Sequence, residues 1–252
     1  IMKLNEVNDI ITIIPARMNS SRFPGKPMEK INGKPMIGHV HDRARLCKIV
    51  KETFVATCDI EIADYINSIG GQSIMTSESH ERASDRTAEA MIKAEKIIGK
   101  KVEIVVMVQG DEPMVTPDMI EKSIQPFNES NVDIVNLMAK IETIEEFEDP
   151  NEPKVVVDIN SNALYFSREP IPSRKKGVLE VPMYKQVCVI PFRRQALLDF
   201  NALPETELER VESIDMNRIL EHGGSVKMVL INGNPISVDT KDDLMRVSTL
   251  IT

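Results

Sequence analysis

Short apolar runs rich in β-branched residues alternate with stretches of helical periodicity through the first 130 residues, and no other feature limits the fold so strongly. Residues 11–14 form such a run and stop at Pro15, where a polar loop, 16–26, begins. Met36, Ile37, Val40, Ala44 and Cys47 then recur at helical spacing. Residues 53–57 (TFVAT) read as a second strand and 72–75 as a third. The helix between them carries Ile62, Ile66 and Ile69, with Asp59 as its N-cap and Gly70-Gly71 closing it. A helix over 84–98 leads to 102–108, the most apolar strand of the chain, and Pro117 suits the first turn of the next helix. Strands alternating with helices of about 10 to 15 residues make βαβ units. The expected fold is therefore α/β, a doubly wound, mostly parallel, Rossmann-like sheet. Ligands of such sheets bind at the carboxyl ends of the strands.

The pattern changes near residue 130. Residues 132–141, 154–159 and 163–167 read as strands, and the turn Asn160-Ser161-Asn162 joins the last two into a hairpin. Residues 171–182 are polar, basic and Pro-containing, as a mobile loop would be. A strand over 184–192, a helix over 208–221 closed by Gly223-Gly224, and a strand over 226–231 follow. Asp239-Thr240 caps a final helix. A chain of 252 residues is long for one core and short for two full domains. It reads as a single domain, 1–252, with an inserted antiparallel β region at about 132–200.

Composition narrows the function. Hydrophobic residues at 42% and charged residues at 28% exclude a disordered chain. No apolar run approaches the length of a transmembrane helix, and residues 1–9 lack the basic-then-apolar pattern of a signal peptide, so the cytoplasm is the expected compartment and no membrane partner is expected. Cys47, Cys58 and Cys188 are too few and scattered for a disulfide framework, form no zinc motif, and read as buried small hydrophobes. The net charge of −8, from 31 basic and 39 acidic residues, speaks against a nucleic-acid surface. It does not speak against one small anion in a locally basic pocket.

Such a pocket has a candidate. The first strand runs into Pro15-Ala16-Arg17-Met18-Asn19-Ser20-Ser21-Arg22-Phe23-Pro24-Gly25-Lys26-Pro27. Arginine forks, a lysine point charge and backbone N–H groups suit a triphosphate, although the Walker pattern is absent; the alternative is a solvated basic loop. The most apolar strand ends in Val108-Gln109-Gly110-Asp111-Glu112-Pro113, where paired carboxylates suit a divalent cation on phosphate oxygens; the alternative is a capping turn. Val238-Asp239-Thr240 again sets an aspartate after an apolar strand, and there the alternative is a plain N-cap.

These blocks, with Ile31-Asn32-Gly33-Lys34-Pro35-Met36-Ile37 and Ala163-Leu164-Tyr165-Phe166-Ser167-Arg168, fall in order along nearly the whole chain. Together they resemble the 3-deoxy-manno-octulosonate (Kdo) cytidylyltransferases, within the nucleotidyltransferase group of doubly wound α/β folds. The resemblance implies transfer of CMP from CTP to the anomeric hydroxyl of an acidic 2-keto sugar, with release of pyrophosphate. It implies that Arg17, Ser20 and Lys26 hold the CTP phosphates with Arg22 beside them, and that Gln109 and Arg86 face the nucleotide. Asp111 and Asp239 match the aspartates that hold Mg²⁺, and Arg168 matches the arginine on the sugar's carboxylate side. Arg17, Lys26, Asp111 and Asp239 are then the catalytic set. Arg17, Lys26 and one Mg²⁺ offset the charge of the leaving group, and a second Mg²⁺ bridges the α-phosphate; no protein nucleophile is needed. The family also implies a homodimer built through the inserted β region, which the alternation of Val187 and Val189 with Cys188 and Ile190 permits.

The sugar side departs from the family's pattern. Substrate-binding positions on that side are Arg168, Tyr184, Gln186 and Asp215. After Tyr184-Lys185 the family usually has His where this chain has Gln186, and the family's Glu-Gln pair reads Asp215-Met216 here. Gln186 can donate to a hydroxyl and Asp215 keeps the charge on a shorter arm, but Met216 cannot replace a hydrogen-bonding amide. The acceptor is thus Kdo, or a related sugar such as an amino-substituted Kdo. A catalytically silent nucleotide-binding relative is a further reading, against which the retained Arg17, Lys26, Asp111 and Asp239 argue. The sialic-acid-activating relatives usually carry a Gly-Gly-Ser-Lys type first loop, absent here.

Overall fold

The computed structural model describes residues 9–20, 22–176 and 182–251. Residues 1–8 of the leader reading and 177–181 of the basic loop lie outside the described residues.

Five strands build the first sheet, in the order Val189–Arg193, Ile104–Val108, Ile10–Pro15, Glu52–Thr57, Gln72–Met75. All neighbours pair in parallel except Val189–Arg193, which runs antiparallel to Ile104–Val108. Apart from the edge strand Gln72–Met75, the strands have no solvated face. All five residues of Ile104–Val108 are fully buried, as a central parallel strand requires. Alternation along the first strand still decides which layer each side chain enters. Ile10 and Ile14 pack with Ile37, Val40, Ile62, Met119 and Ile120 on one face, and Ile11 and Ile13 pack with Ala90, Met91, Ala94, Leu197 and Phe200 on the other. The helices Met36–Ala44, Ile60–Ser68 and Pro117–Ile124 thereby cover one face, and Ala83–Ile98 and Arg194–Ala202 cover the other. This is the doubly wound architecture that the sequence predicts.

Chain order places the binding crevice. From Ile10–Pro15 the chain winds outward through Glu52–Thr57 and Gln72–Met75, then returns to lay Ile104–Val108 on the opposite side of the first strand. The reversal leaves the carboxyl ends of Ile10–Pro15 and Ile104–Val108 side by side, with their following loops diverging; ligands enter such sheets at this point. Gly110 is what lets the ends approach. Its N–H donates to the Pro15 carbonyl at 3.2 Å, and an added Cβ would lie 3.0 Å from that oxygen and 3.2 Å from the Ala16 Cβ.

A second, mixed sheet has the order Lys227–Leu230, Val135–Lys140, Tyr184–Val187, Lys154–Val157, Ala163–Ser167. The expected hairpin is present between Lys154–Val157 and Ala163–Ser167, with Ser161 at φ 61° in its turn. The expected single strand 184–192 is divided at Cys188. Tyr184–Val187 belongs to the second sheet and Val189–Arg193 to the first, because Cys188 leaves both ladders. Its N–H donates to Glu112 Oε1 at 3.0 Å and its carbonyl accepts from Gln109 N. Val187, Val189 and Ile190 are buried in the chain's own core, so their alternation presents no face to a second copy.

The expected helix 208–221 is also divided, into Glu207–Glu212 and Met216–Glu221. Ser213 takes the left-handed conformation at φ 53° and ends the first helix, so that Ile214 turns into the core while Asp215 faces the crevice. Neither expected aspartate caps a helix through its side chain. Asp59 precedes Ile60–Ser68, but its Oδ2 accepts from Met18 N at 2.8 Å, across in the first loop. Thr240 caps the final helix in a reciprocal box with Asp243, which frees Asp239. The turn Asn32-Gly33 closes a small hairpin, Lys30–Ile31 with Lys34–Pro35, that the helical reading of this region missed. Among the described residues no helix is long and apolar enough to cross a membrane.

Phe54 is fully buried between the first sheet and the helices on one face. A Phe54→Ala substitution is expected to lower the unfolding free energy by about 3–5 kcal/mol, read as a fall in the urea midpoint with an unchanged denaturant slope.

Candidate active site

The crevice at the reversal point opens into a cleft of ≈ 390 Å³. Of the expected site residues, Arg17, Ser20, Arg22, Lys26, Arg86, Gln109, Asp111, Arg168, Gln186, Asp215 and Asp239 all line it. Tyr184 does not. It shares a strand face with Gln186 but lies two residues, roughly 6–7 Å, further back along the strand, opposite Lys140 and packed on the core.

The centre of the cleft is a convergence of charge. Lys26 Nζ donates to Asp111 Oδ2 at 2.7 Å, Asp239 Oδ1 at 3.0 Å and the Val238 carbonyl at 3.0 Å. Arg22 Nη2 reaches the same Asp239 oxygen at 2.9 Å. Burial alone would pull the Lys26 ammonium down, but the two carboxylates outweigh it and hold its pKa above the ordinary value. Lys26 is therefore a fixed cation. Gly25, at φ 77°, turns the chain so that Lys26 enters the cleft, and its N–H closes the loop on the Met18 carbonyl at 2.9 Å.

The other cations stand around this point. Arg22 Nη1 donates to Asn151 Oδ1 at 2.8 Å, tying the first loop to the second sheet's loops. Arg17 Nη1 reaches the His80 carbonyl at 3.3 Å. Arg86 is buried, with Nη1 on Thr76 Oγ1 and Nη2 on the His80 carbonyl. Arg168 Nε donates to the Glu212 carbonyl at 2.6 Å and Nη1 to the Pro150 carbonyl at 2.8 Å, while the Glu212 carboxylate accepts from the Arg168 main-chain N–H. Burial, and Arg22 beside it, draw the Arg168 pKa below the usual arginine value. Two guanidinium groups brought side by side mark a place suited to an anion.

The carboxylates divide in role. Asp111 faces the cations, whereas Glu112 turns inward and is completely buried. Glu112 Oε1 accepts from Cys188 N and from Ser237 Oγ at 2.7 Å. Burial, then the Asp111 charge, push its pKa up to about 7. Asp215 Oδ2 accepts from Ser84 Oγ at 3.0 Å, and burial raises its pKa. Gln186 Nε2 donates to Asn136 Oδ1 at 2.6 Å. The amide nitrogen expected to serve a hydroxyl is thus held against the sheet.

Among the described residues no cluster of three His, Cys, Asp or Glu side chains suits a metal. Asp111 and Asp239 nevertheless converge on a single cation, the Lys26 ammonium. Two carboxylates, completed by phosphate oxygens and water, are the donor set Mg²⁺ takes in nucleotide sites, so the residues present fit that ion.

Sequence reasoning missed Arg82, His80, Asn151, Glu152, Ser213 and Ser237, all of which line the cleft. His80 bonds Glu89, whose carboxylate also accepts from Ser77 N and pairs with Lys93. The Ser/Thr/Asp/Asn-type helix-start signal does not find these residues, because Arg82 holds the N-cap position without a side-chain cap.

Residues 11–231 match the family model described as cytidylyltransferase. A 3-deoxy-manno-octulosonate cytidylyltransferase of Thermodesulfovibrio yellowstonii is 40% identical over 241 residues, covering 93% of this chain and 94% of that protein. An 8-amino-3,8-dideoxy-manno-octulosonate cytidylyltransferase of Shewanella pealeana is 38% identical over 239 residues, covering 94% and 96%. A solved structure of CMP:2-keto-3-deoxy-manno-octonic acid synthetase complexed with CTP aligns with a TM-score of 0.88 at 35% identity, covering 96% of this chain and 98% of that one.

Glu89 supplies a test of the wall that carries His80. Burial opposes its charge, but Lys93, the Ser77 N–H and His80 outweigh it and hold its pKa down to about 2, against an ordinary value of 4.5. The folded state binds fewer protons there, so the stabilisation is present above pH 4.5 and is lost as pH falls through 2. Glu89→Gln is expected to be less stable than the parent at neutral pH, and the gap between the two should close on acidification across that window in denaturant titrations.

Proposed function

The chain belongs to the cytidylyltransferase family, and within it to the 3-deoxy-manno-octulosonate cytidylyltransferases; on that premise we propose that it transfers CMP from CTP to the anomeric hydroxyl of Kdo or a Kdo-like acidic 2-keto sugar, with release of pyrophosphate. The observation that carries the reading is the cleft at the sheet's reversal point, where Asp111 and Asp239 converge on one cation beneath the Arg17, Arg22 and Lys26 loop. A silent relative would have no need of both carboxylates together with the cations.

In the proposed mechanism the anomeric oxygen forms a bond to the α-phosphorus while the bond from that phosphorus to the α,β-bridging oxygen breaks, pyrophosphate leaves with that oxygen, and the hydroxyl proton passes to solvent water. The protein's work is positioning and charge neutralisation. Lys26, fixed in its charged form, and Arg17 offset the negative charge that grows on pyrophosphate. Ser20, Arg22, Gln109 and Arg86 orient the nucleotide, and Gly110 allows the phosphates close to the backbone. Arg168, anchored by main-chain carbonyls, keeps free N–H groups for the sugar's carboxylate. Asp111 and Asp239 would hold Mg²⁺, which when bound neutralises phosphate charge and lowers the pKa of the attacking hydroxyl. Gln186 and Asp215 form the acceptor side. The homodimer remains part of the proposal, supported by Ile159 and Leu164, which the second sheet's hairpin exposes at 99% and 61%.

The test is pyrophosphate release with each of the four nucleoside triphosphates against Kdo, 8-amino-Kdo, sialic acid and no acceptor. Release with CTP and an octulosonate alone is expected; none with CTP and any acid sugar would sink the reading. Asp111→Asn should lower kcat by about 10²–10³-fold, the usual cost of one group aimed at transition-state charge. Chelation should abolish turnover and added Mg²⁺ restore it. Near-normal turnover of Asp111→Asn would remove that residue from the metal site.

A further inference from the structure

We infer that Asn136 fixes the amide of Gln186 so that the acceptor end of the cleft presents a carbonyl oxygen, and that the enzyme therefore selects acid sugars offering a hydrogen-bond donor, a hydroxyl or an amine, at that point. The inference rests on the acid-sugar reading above and names a requirement on that sugar.

Asn136 is fully buried in Val135–Lys140, on the strand face it shares with Met138 and Gln186. A buried amide without partners is costly, and this one is satisfied in a way that fixes its orientation. Its Nδ2 lies 3.0 Å from the Leu137 carbonyl and 2.8 Å from the Val187 carbonyl. Carbonyl oxygens only accept, so the edge facing them must be the NH₂ group. Asn136 Oδ1 then faces the other way, 2.6 Å from Gln186 Nε2. An amide oxygen cannot donate, so Gln186 must turn its own nitrogen toward it. Two main-chain carbonyls thereby settle the flip of both side chains.

Gln186 lines the cleft, and its main chain is held by the Pro153 carbonyl at 2.8 Å. With Nε2 held by Asn136, Oε1 has no hydrogen-bond partner among the described residues. That oxygen is what the cleft offers. The family's usual histidine could donate or accept at this position by changing tautomer; a glutamine pinned from behind accepts. Asn136 does not touch the cleft and acts only through Gln186, so it is a positioning residue. Gln186 is the residue that meets the sugar.

The test compares kcat/KM for CTP-dependent pyrophosphate release with Kdo, its 8-amino analogue, and analogues in which each hydroxyl other than the anomeric one is in turn replaced by fluorine, which cannot donate. In the parent protein one fluoro analogue should fall about 10-fold, the worth of one hydrogen bond, with the loss in acceptor KM rather than kcat. In Asn136→Leu and Gln186→Met that discrimination should shrink to within about twofold, while the KM for CTP moves less than that. Should Asn136→Leu fail to fold, Gln186→Met carries the comparison. Independently, the Gln186 side-chain amide should exchange slowly by NMR in the ligand-free parent and rapidly in Asn136→Leu. Equal use of every fluoro analogue, or a rapidly exchanging Gln186 amide in the parent, would overturn this inference while leaving the function standing. No turnover with any acid sugar would overturn both.

Discussion

The ion cluster of Lys26 with Asp111 and Asp239 is the constraint on which the rest of the site depends. Its members are 85 and 213 residues apart from the lysine in sequence. All three side chains are largely withdrawn from water, at 13%, 19% and 15% exposed. Removing one member would leave the others as poorly compensated charges, which is where ion pairs become expensive. The main chain reinforces the arrangement, since Val238 N donates to the Asp111 carbonyl and the Val238 carbonyl accepts from Lys26. Asp111 and Glu112 sit next to each other and point opposite ways. One meets the cations in the cleft; the other grips Cys188 and Ser237 from beneath. A single dipeptide at a strand's end thus sets both the charge of the site and the seating of the segments around it.

The first half of the fold was legible because its signals are local. A strand buried on both faces reads as an unbroken apolar run, as 104–108 does, and helices between such strands show their period over a few turns. The second half was less legible because its decisive contacts are not local. Residues 184–192 have the composition of one strand. The division at Cys188 comes from a carboxylate 76 positions away that takes its N–H. Residues 208–221 have the composition of one helix, yet Leu208 and Val211 are exposed at 40% and 73%. The apolar pattern there was therefore not a buried stripe, and Ser213 could break it to turn Ile214 inward.

The candidate site shows the same division. Strand ends point to a crevice, and the strand-end motifs supplied Arg17, Lys26, Gln109, Asp111 and Asp239. Asp239 carried a capping alternative and Asp59 was read as a cap outright, and composition could not resolve either. Thr240 takes the cap beside Asp239, and the Asp59 carboxylate reaches Met18 instead of its own helix. The residues that escaped sequence reasoning act through backbone groups or distant partners. Asn151 meets Arg22 across 129 residues, and Glu212 orders Arg168 across 44.

The two ends of the cleft are built on different principles, and this bears on how specificity can change. The end proposed for the nucleotide comes mostly from loops that leave the first sheet, with Asp239 supplied by the segment after Lys227–Leu230 of the second, and its cations share counter-charges directly. At the acceptor end each side chain is held by a second group: Arg168 by the main chain of Glu212 and Pro150, Asp215 by Ser84, Gln186 by Asn136. Those holders lie in the second sheet, in the loop before its strand Lys154–Val157, in the divided helix pair or at the start of Ala83–Ile98. A substitution in a holder can re-aim an acceptor-side group without disturbing Lys26, Asp111 or Asp239. Of the departures from the family pattern, Gln186 and Asp215 line the cleft, while Met216 is buried in the core. A shared nucleotide end with an acceptor end aimed from behind is an arrangement in which the activated nucleotide stays constant while the sugar it is transferred to can change.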